Sequence, residues 1–292
     1  MTINLADKYA KKIAEKFYVD SVILGKTSTA YDWDGVKTVK VWTITTVAPG
    51  NYTRSGTSRY GTPTEVQDTY QVMEIKQDKS VALTVDKGNN TQQMLIKNAG
   101  KVVALELREQ FVPMFDKHCL AYWSGLIASP DTPTWASYVQ THVDASLTKS
   151  NIVESIFAGV TALRNKGAKI NDAYCYIGET NFAKLLLSPE FLNVDKLGER
   201  NVENGVLGKV RGLQVVPVPD DYFDHTVNTE LTKDINFMIV KKECVLAPTQ
   251  IKDIRIHQDP PGINGGLMEI RWLYDAFALD TKAEGIYVST TS

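Results

Sequence analysis

The sequence has few of the residues that cross-link, anchor or strongly charge a protein. Its three cysteines, Cys119, Cys175 and Cys244, each stand beside apolar or aromatic neighbours, which predicts buried thiols. No apolar run has the length that a signal peptide or a spanning helix requires, so we expect a protein that stays in the cytoplasm where it is made. The apolar fraction of 43% and the charged fraction of 23% are those of an ordinary globular protein, which argues against disorder.

Basic charge and clustered histidine are also scarce. The 32 Lys and Arg residues against 34 Asp and Glu residues give a formal net charge of -2. The chain therefore lacks the positive footprint of a protein that neutralises phosphates, and sequence-specific recognition of DNA is not expected. The four histidines stand far apart in the chain, so they offer no ligand spacing, and we predict neither a metal nor a cofactor.

Three short stretches invite a catalytic interpretation, and none supports it. In GVLGK (205 to 209) two residues separate the glycines and Val210 follows the lysine, so the spacing of a phosphate-binding loop is missing. DDYFDH (220 to 225) gathers three carboxylates and a histidine, but acidic loops beside proline are usually solvated. His118 and Cys119 are adjacent in a predicted helix, where neighbouring side chains point about 100° apart. We predict no enzymatic activity.

Two segments rich in β-branched residues predict a long hairpin. VKTVKVWTITTV (36 to 47) and VQDTYQVMEI (66 to 75) flank a stretch of Gly, Ser, Thr and Pro from 49 to 65. Strands of about ten to twelve residues would reach roughly 35 to 40 Å. Because an isolated hairpin is marginal in water, we expect this one to lie on another copy of the protein, with docking on its own core as the alternative. The alternation places Trp42 and Ile44 on one face and Val39, Val41 and Val47 on the other.

The rest of the chain mixes helix and strand. Apolar residues three or four apart predict a long amphipathic helix from 92 to 127, which Pro113 should kink or split and which SPDTP (129 to 133) ends. A helix start at Asn151 and Glu154 leads to a stop at Gly167. Helices are also predicted at 5 to 18 and 181 to 187, and strands at 173 to 177, 235 to 240, 251 to 256 and 267 to 279. In the last strand the apolar face that can cover the long helix consists of Met268, Ile270, Trp272 and Tyr274.

The order of these parts, with four local stretches, resembles the major capsid proteins of tailed bacteriophages, whose shell fold is shared by encapsulins. The stretches are TVKVWTITTV with GNYTRSG and RYGTPTEVQ in the hairpin, DKSVALTVDKGNNTQQ (78 to 93), GKVRGLQVVPVPDDY (208 to 222) and RWLYDAFALDTKAEGIYV (271 to 288). The resemblance covers nearly the whole chain. It implies an α+β shell fold with an N-terminal arm (1 to 30), an extended hairpin loop (31 to 78), a peripheral domain with a long spine helix (79 to 148), an axial domain (149 to 248) and closing strands of the peripheral domain (249 to 292).

The resemblance also implies a function. The protein would be a virion structural protein that self-assembles through the hairpin and the arm, as hexamers and pentamers, into an icosahedral shell around double-stranded DNA in the host cytoplasm. It would bind no membrane, would work beside a portal, and would need a separate scaffolding protein or processing before Met1, because the short arm leaves no room for a fused scaffold. The stretch GKVRGLQVVPVP would be a strand near the end of the axial domain, and Gly212 would permit the turn into that strand. Candidate contacts between subunits are Trp42, Tyr52, Arg54, Arg59, Tyr60, Lys209 and Arg211, the last two being either structural or intersubunit charges.

One departure from the family and two alternatives complete the expectations. Some members cross-link their shells through a hairpin lysine and an asparagine of a neighbouring subunit, but no lysine occurs between Lys40 and Lys76. No covalent linkage through the loop tip is therefore expected. Within the same fold, an encapsulin would enclose enzymes instead of DNA. In another class, a cytosolic α+β enzyme would place dispersed acidic groups around 220 to 225 and would fold its hairpin inward.

Overall fold

The computed structural model describes residues 21–34, 37–44, 46–88, 99–126, 140–144, 146–189, 202–203, 206–207, 209–223 and 234–291. The helix predicted at 5 to 18 and the stop at 129 to 133 lie outside these residues. The strands are β1 (Asp32–Asp34), β2 (Thr38–Ile44), β3 (Asp68–Glu74), β4 (Gln77–Asp86), β5 (Gln140–Asp144), β6 (Ala173–Gly178), β7 (Val202–Glu203), β8 (Val206–Leu207), β9 (Lys209–Val210), β10 (Leu213–Val218), β11 (Ile235–Lys241), β12 (Val245–Leu246), β13 (Thr249–Gln258), β14 (Gly265–Tyr274), β15 (Phe277–Ala278) and β16 (Ile286–Thr291). The helices are α1 (Ala99–Glu106), α2 (Val112–Gly125), α3 (Ile152–Asn165) and α4 (Glu179–Leu186), with a π-helical turn at Leu107–Phe111.

The predicted hairpin is present as β2 and β3. The two strands pair antiparallel from Thr38↔Glu74 to Ile44↔Asp68, and β1 pairs on the other side of β2. Each strand has seven residues, so the ladder is shorter than predicted and the tip is longer. The predicted alternation is confirmed for Val39, which is fully buried, and for Trp42 and Ile44, which are exposed. Val47 lies beyond the end of β2 and is exposed.

The long helix is present and is interrupted close to Pro113. Residues 99 to 125 follow a helical path in which the N–H of Val112 donates to the carbonyl of Leu107, five residues earlier. Proline has no N–H to donate and its ring crowds the preceding turn. A widened π turn just before a proline accommodates both effects without separating the chain into two helices.

A three-stranded sheet in the order β13-β14-β4 packs on this helix. The apolar face predicted for β14 is confirmed, since Met268, Ile270, Trp272 and Tyr274 are all buried. The ring of Trp272 lies 5.0 Å from that of Phe111 and 5.8 Å from that of Phe115. Strand β4 was not predicted, because its exposed edge carries polar residues such as Asp78, Lys79 and Ser80.

A six-stranded sheet in the order β5-β16-β11-β6-β10-β9 forms the second layer. Alternation sends side chains to two cores. Cys175, Ile177 and Ile239 pack with α3 and α4, whereas Tyr176 and Met238 pack with α2. The helix start at Asn151 and the stop at Gly167, whose φ is +81°, are confirmed.

Strand pairing crosses two of the predicted domain boundaries. Strand β5 belongs to the segment assigned to the peripheral domain (79 to 148), and β16 belongs to the predicted closing strands (249 to 292). Both lie in the sheet whose other strands come from 149 to 248. Strand β16 therefore pairs with strands of the segment predicted as axial, and not with the sheet of β13, β14 and β4. Its apolar pattern identifies a strand, but the partner of a strand depends on the path of the whole chain.

Gly212 makes the predicted turn into β10. Arg211 and Gly212 have φ values of +50° and +88° between β9 and β10, in the left-handed region that glycine enters without strain. Strand β10 runs parallel to β6, and β9 covers only its first two residues. Pro217 lies beyond that cover, where a strand tolerates the loss of an N–H donor.

Candidate functional site

The base of the hairpin is fixed to the body of the protein. Val39, Met73 and Ile75 are buried, and together they form one cluster with Leu246, Leu273, Phe277 and Leu279. Gln71 adds three polar contacts. Its Nε2 donates to the carbonyl of Ala278 at 3.1 Å and to Oδ1 of Asp280 at 3.2 Å, and its Oε1 accepts the N–H of Asp280 at 3.1 Å. The hairpin is therefore held at one end by apolar burial and by hydrogen bonds.

Further along, one face of the hairpin exposes large apolar side chains. Trp42, Ile44, Tyr70 and Val72, which we call the hairpin outer face, are between 50% and 66% exposed. Trp42 and Tyr70 are direct cross-strand partners with ring centroids 5.0 Å apart. Monomeric proteins rarely expose large contiguous apolar patches, and such a patch commonly marks an interaction site.

The tip of the hairpin has its own local order. The rings of Tyr52 and Tyr60 meet edge to face at 5.1 Å, and the N–H of Thr53 donates to the carbonyl of Arg59 at 3.0 Å. Tyr60 is nevertheless 92% exposed. Residues 49 to 63 contain two arginines, Arg54 and Arg59, and no carboxylate, so the tip presents positive charge beside aromatic rings.

Arg211 lies elsewhere and makes contacts within its own chain. Its Nη1 donates to Oγ1 of Thr161 at 3.1 Å and to the carbonyl of Phe157 at 3.3 Å. Its guanidinium also lies 5.2 Å from the centroid of the Phe157 ring. These contacts tie the turn between β9 and β10 to α3, which favours the structural role over the intersubunit one. The side chain of Lys209 lies outside the described residues.

The candidate contacts thus divide into three places. Trp42 belongs to the hairpin outer face, Arg211 to the edge of the six-stranded sheet, and the hairpin tip contains Tyr52, Arg54, Arg59 and Tyr60. The sequence reasoning missed Ile44, Tyr70 and Val72 as site residues. A signal for them was present, because antiparallel pairing of the two segments sets Tyr70 and Val72 on the face of Trp42.

The acidic stretch at 220 to 225 does not form an open catalytic group in its described part. Asp220 accepts the N–H of Thr180 at 3.2 Å and also its hydroxyl proton, so it satisfies the first turn of α4. Tyr222 and Phe223 are buried. Asp224 and His225 lie outside the described residues. Within the described ranges, no group of three His, Cys, Asp or Glu residues could hold a metal ion.

The three cysteines are buried, as predicted. Burial raises the pKa of the Cys119 thiol well above its ordinary value, that of Cys175 to about 12, and that of Cys244 to about 11. Thiols of this kind are poor nucleophiles at neutral pH. His118 turns away from Cys119, with its Nε2 2.9 Å from Oδ1 of Asp275.

No helix among the described residues is long and apolar enough to cross a membrane.

No protein-family model matches the sequence, and no curated protein matches it. Among solved structures, the chain is similar to a chain in the capsid structure of Cyanophage P-SCSP1u, with a TM-score of 0.75, 12% identity, and coverage of 99% of this chain and 93% of that one. The chain is also similar to a chain of the mature capsid of bacteriophage PhiM1, with a TM-score of 0.71, 14% identity, and coverage of 98% of this chain and 91% of that one. For a chain of the Cyanophage Pam1 capsid the TM-score is 0.66 and the identity 13%, with coverage of 99% of this chain and 96% of that one.

These likenesses define the fold of the molecule. The described elements belong to a shell fold found in phage capsids, with helices and sheets mixed in one chain, and the fold predicted from the sequence is confirmed. The matches extend over nearly the whole chain.

Proposed function

We propose that this protein is a viral major capsid protein that self-assembles into an icosahedral shell. The observation that carries the proposal is the fold likeness to chains of three phage capsids over at least 98% of this chain. The hairpin supports it independently. Its base is anchored, while its outer face and its tip offer apolar, aromatic and positively charged groups to a neighbour.

The contact between copies would be head to tail, with the hairpin outer face of one subunit lying on the body of the next. Contacts of this kind use two different surfaces and close into rings when the rotation permits. We propose five-membered and six-membered rings, as in pentamers and hexamers. Shells would form in the host cytoplasm and remain in the virion.

The interior of the shell would hold double-stranded DNA. A net charge of -2 supplies little attraction for phosphates, so we propose that the DNA is enclosed without sequence-specific binding and enters through a portal. A separate scaffolding protein would guide assembly. We propose that the subunit consists of the arm, the hairpin loop, the peripheral domain and the axial domain. Strands β5 and β16 would belong to the sheet of the axial domain.

The test is negative-stain electron microscopy of the purified full chain, with sedimentation velocity over a range of concentrations. Shells, tubes, or five- and six-fold rings are expected. A chain that stays monomeric at every concentration, alone and when produced with its scaffolding protein, would contradict the proposal.

A matched pair of variants connects assembly to the proposed surface. The double substitution Trp42→Ser and Tyr70→Ser removes the central aromatic pair of the hairpin outer face, and particles are expected to be lost while the fold is kept. Trp33→Ser is the control, because Trp33 is also partly exposed but lies opposite Val39, on the other face of the same sheet. Equal assembly of both variants would contradict the assignment of the hairpin outer face to the contact between subunits.

The contents of the particles decide between the alternatives within the fold. Particles recovered from infected cells with nuclease-protected double-stranded DNA would support the capsid, whereas co-purifying enzymes would support an encapsulin. A cytosolic enzyme with an inward-folded hairpin is disfavoured, since Trp42 and Ile44 point into solvent.

A further inference from the structure

Asp275 is a buried carboxylate at a junction of three parts of the fold. The residue directly follows β14 and is 5% exposed. Its Oδ2 accepts the backbone N–H of Lys76, which connects β3 to β4, at 2.8 Å. Its Oδ1 lies 2.9 Å from Nε2 of His118, on α2, and accepts the N–H of Ala276 at 2.9 Å. One side chain therefore touches the exit of the hairpin, the long helix and the turn before β15.

The position of Asp275 is itself well determined. Its own N–H donates to the carbonyl of Pro248 at 3.2 Å, and the ring of His118 stands edge to face against that of Tyr274 at 5.4 Å. Burial of a carboxylate is costly unless hydrogen bonds satisfy it. A hydrophobic residue of similar size would avoid that cost but would leave the N–H groups of Lys76 and Ala276 without this acceptor.

Apolar packing at the hairpin base does not supply the same link. The cluster of Val39, Met73 and Ile75 joins the hairpin to β12, β14 and β15. Gln71 likewise binds the β15 region. That cluster reaches α2 indirectly, since Nε1 of Trp123 donates to the carbonyl of Phe277 at 3.1 Å. The chain that leaves the hairpin at Lys76 is linked to α2 through Asp275 and His118.

We propose that Asp275 is a positioning residue that couples the exit of the hairpin to α2, so that the hairpin keeps one angle to the long helix. The consequence of this coupling for assembly rests on the proposed function. A hairpin held at one angle presents its outer face to a neighbour in a single orientation, which a closed ring of identical contacts requires.

The test measures the distance between a spin label on the hairpin and one beside α2, in the full chain, by double electron–electron resonance spectroscopy. Spin labels are placed on Thr69→Cys in β3 and Gln110→Cys beside α2, two exposed positions. The native thiols are buried and should not compete for label. The unmodified junction is expected to give one narrow distance distribution. Asp275→Asn should broaden it or add a second population, because one amide oxygen cannot accept both backbone N–H groups from opposite sides.

Two further variants separate positioning from stability. Asp78→Asn is the matched control, because Asp78 stands two residues after Lys76 but binds Arg271 and Lys37 instead of α2. It should leave the distribution narrow. His118→Leu removes the hydrogen-bonding nitrogen from the helix side and keeps apolar bulk, so it should broaden the distribution even if Asp275→Asn fails to fold. A distribution that stays narrow in every folded junction variant would overturn the proposal.

The assembly assay is read separately from the distance measurement. If the junction variants broaden the distribution but the unsubstituted chain forms no particles, alone and when produced with its scaffolding protein, the junction is supported and the proposed capsid function is rejected. Normal particles together with an unchanged distribution would support the capsid and reject the junction.

Discussion

At the scale of single residues, Asp116 shows how burial sets a charge. This residue of α2 is 1% exposed. Its carboxylate accepts the hydroxyl proton of Ser21 and the N–H of Val22, each at 2.8 Å. Burial outweighs these bonds and the nearby charge of Lys26, and raises the pKa of Asp116 from 3.8 to about 6. The first described segment of the chain is therefore held on α2 by a carboxylate that titrates in mild acid.

The sign of the resulting pH dependence follows from linkage. The folded state binds the Asp116 proton more tightly than the unfolded state, so this group adds stability as the pH falls from above 6 toward 4 and loses it as the pH rises through 6. The free energy of unfolding of the wild type minus that of Asp116→Asn should rise by roughly 1 kcal/mol between about pH 7.5 and about pH 5. Urea titrations at both pH values measure this difference, and a constant difference would contradict the assignment.

Trp272 tests the contact between β14 and the long helix. Its ring contacts those of Phe111, Phe115 and Tyr274, so Trp272→Ala should destabilise the protein by about 3 to 5 kcal/mol. Among the described residues its buried indole N–H has no hydrogen-bond partner. Trp272→Phe keeps the aromatic packing and removes that N–H, so it should cost much less. Thermal and urea denaturation measure the loss of stability in each variant. An unchanged melting temperature in the alanine variant would contradict the placement of Trp272 in the core.

At the scale of secondary structure, local pattern predicted the elements that bury one clear face. The alternation in β14 and the stripe of Ile152, Ile156 and Val160 in α3 were visible because one set of positions is apolar. Strand β4 escaped, since it is an edge strand with an exposed polar face. The pairing of β16 with β11 escaped for another reason, because long-range pairing is decided by topology and not by local spacing.

The candidate site was predicted in part for the same reasons. Trp42 stood out as a large apolar residue in a polar ribbon, and the tip stood out by composition. Tyr70 and Val72 became visible only through the register of β2 with β3. Arg211 was left between two roles, because a turn with positive φ and a contact to α3 cannot be read from its neighbours in sequence.

The hairpin tip is separable from the core as an element. Residues 50 to 62 are exposed, and the buried hydrophobic residues of the hairpin lie at its base. Deleting 50 to 62 should therefore leave the melting temperature nearly unchanged and abolish assembly. Circular dichroism and electron microscopy of the same preparation check both halves. Particles of normal shape from the deletion variant would contradict a role of the tip in the contact between subunits.

At the scale of the whole molecule, the described residues combine two packed cores with a hairpin whose outer face is exposed. The six-stranded sheet is covered on both faces, by α3 and α4 on one side and by α2 on the other. The hairpin outer face lies outside these cores. A shell of identical subunits needs many repeated contacts of moderate strength, since very tight single contacts would trap wrongly closed rings. Four large apolar side chains beside a charged tip suit a contact of that strength.

The same arrangement predicts that neighbouring subunits stay non-covalently joined through the hairpin. An isopeptide bond needs a lysine amine, and the chain has no lysine between Lys40 and Lys76. Lys40 itself is held at the hairpin base by Asp34 and lies 5.5 Å from the Tyr70 ring centroid, away from the tip. Assembled particles boiled in detergent should therefore give a single monomer band on a denaturing gel. A ladder of covalent multimers would show that another lysine reaches the neighbour, and mass spectrometry of the cross-linked peptides would identify it.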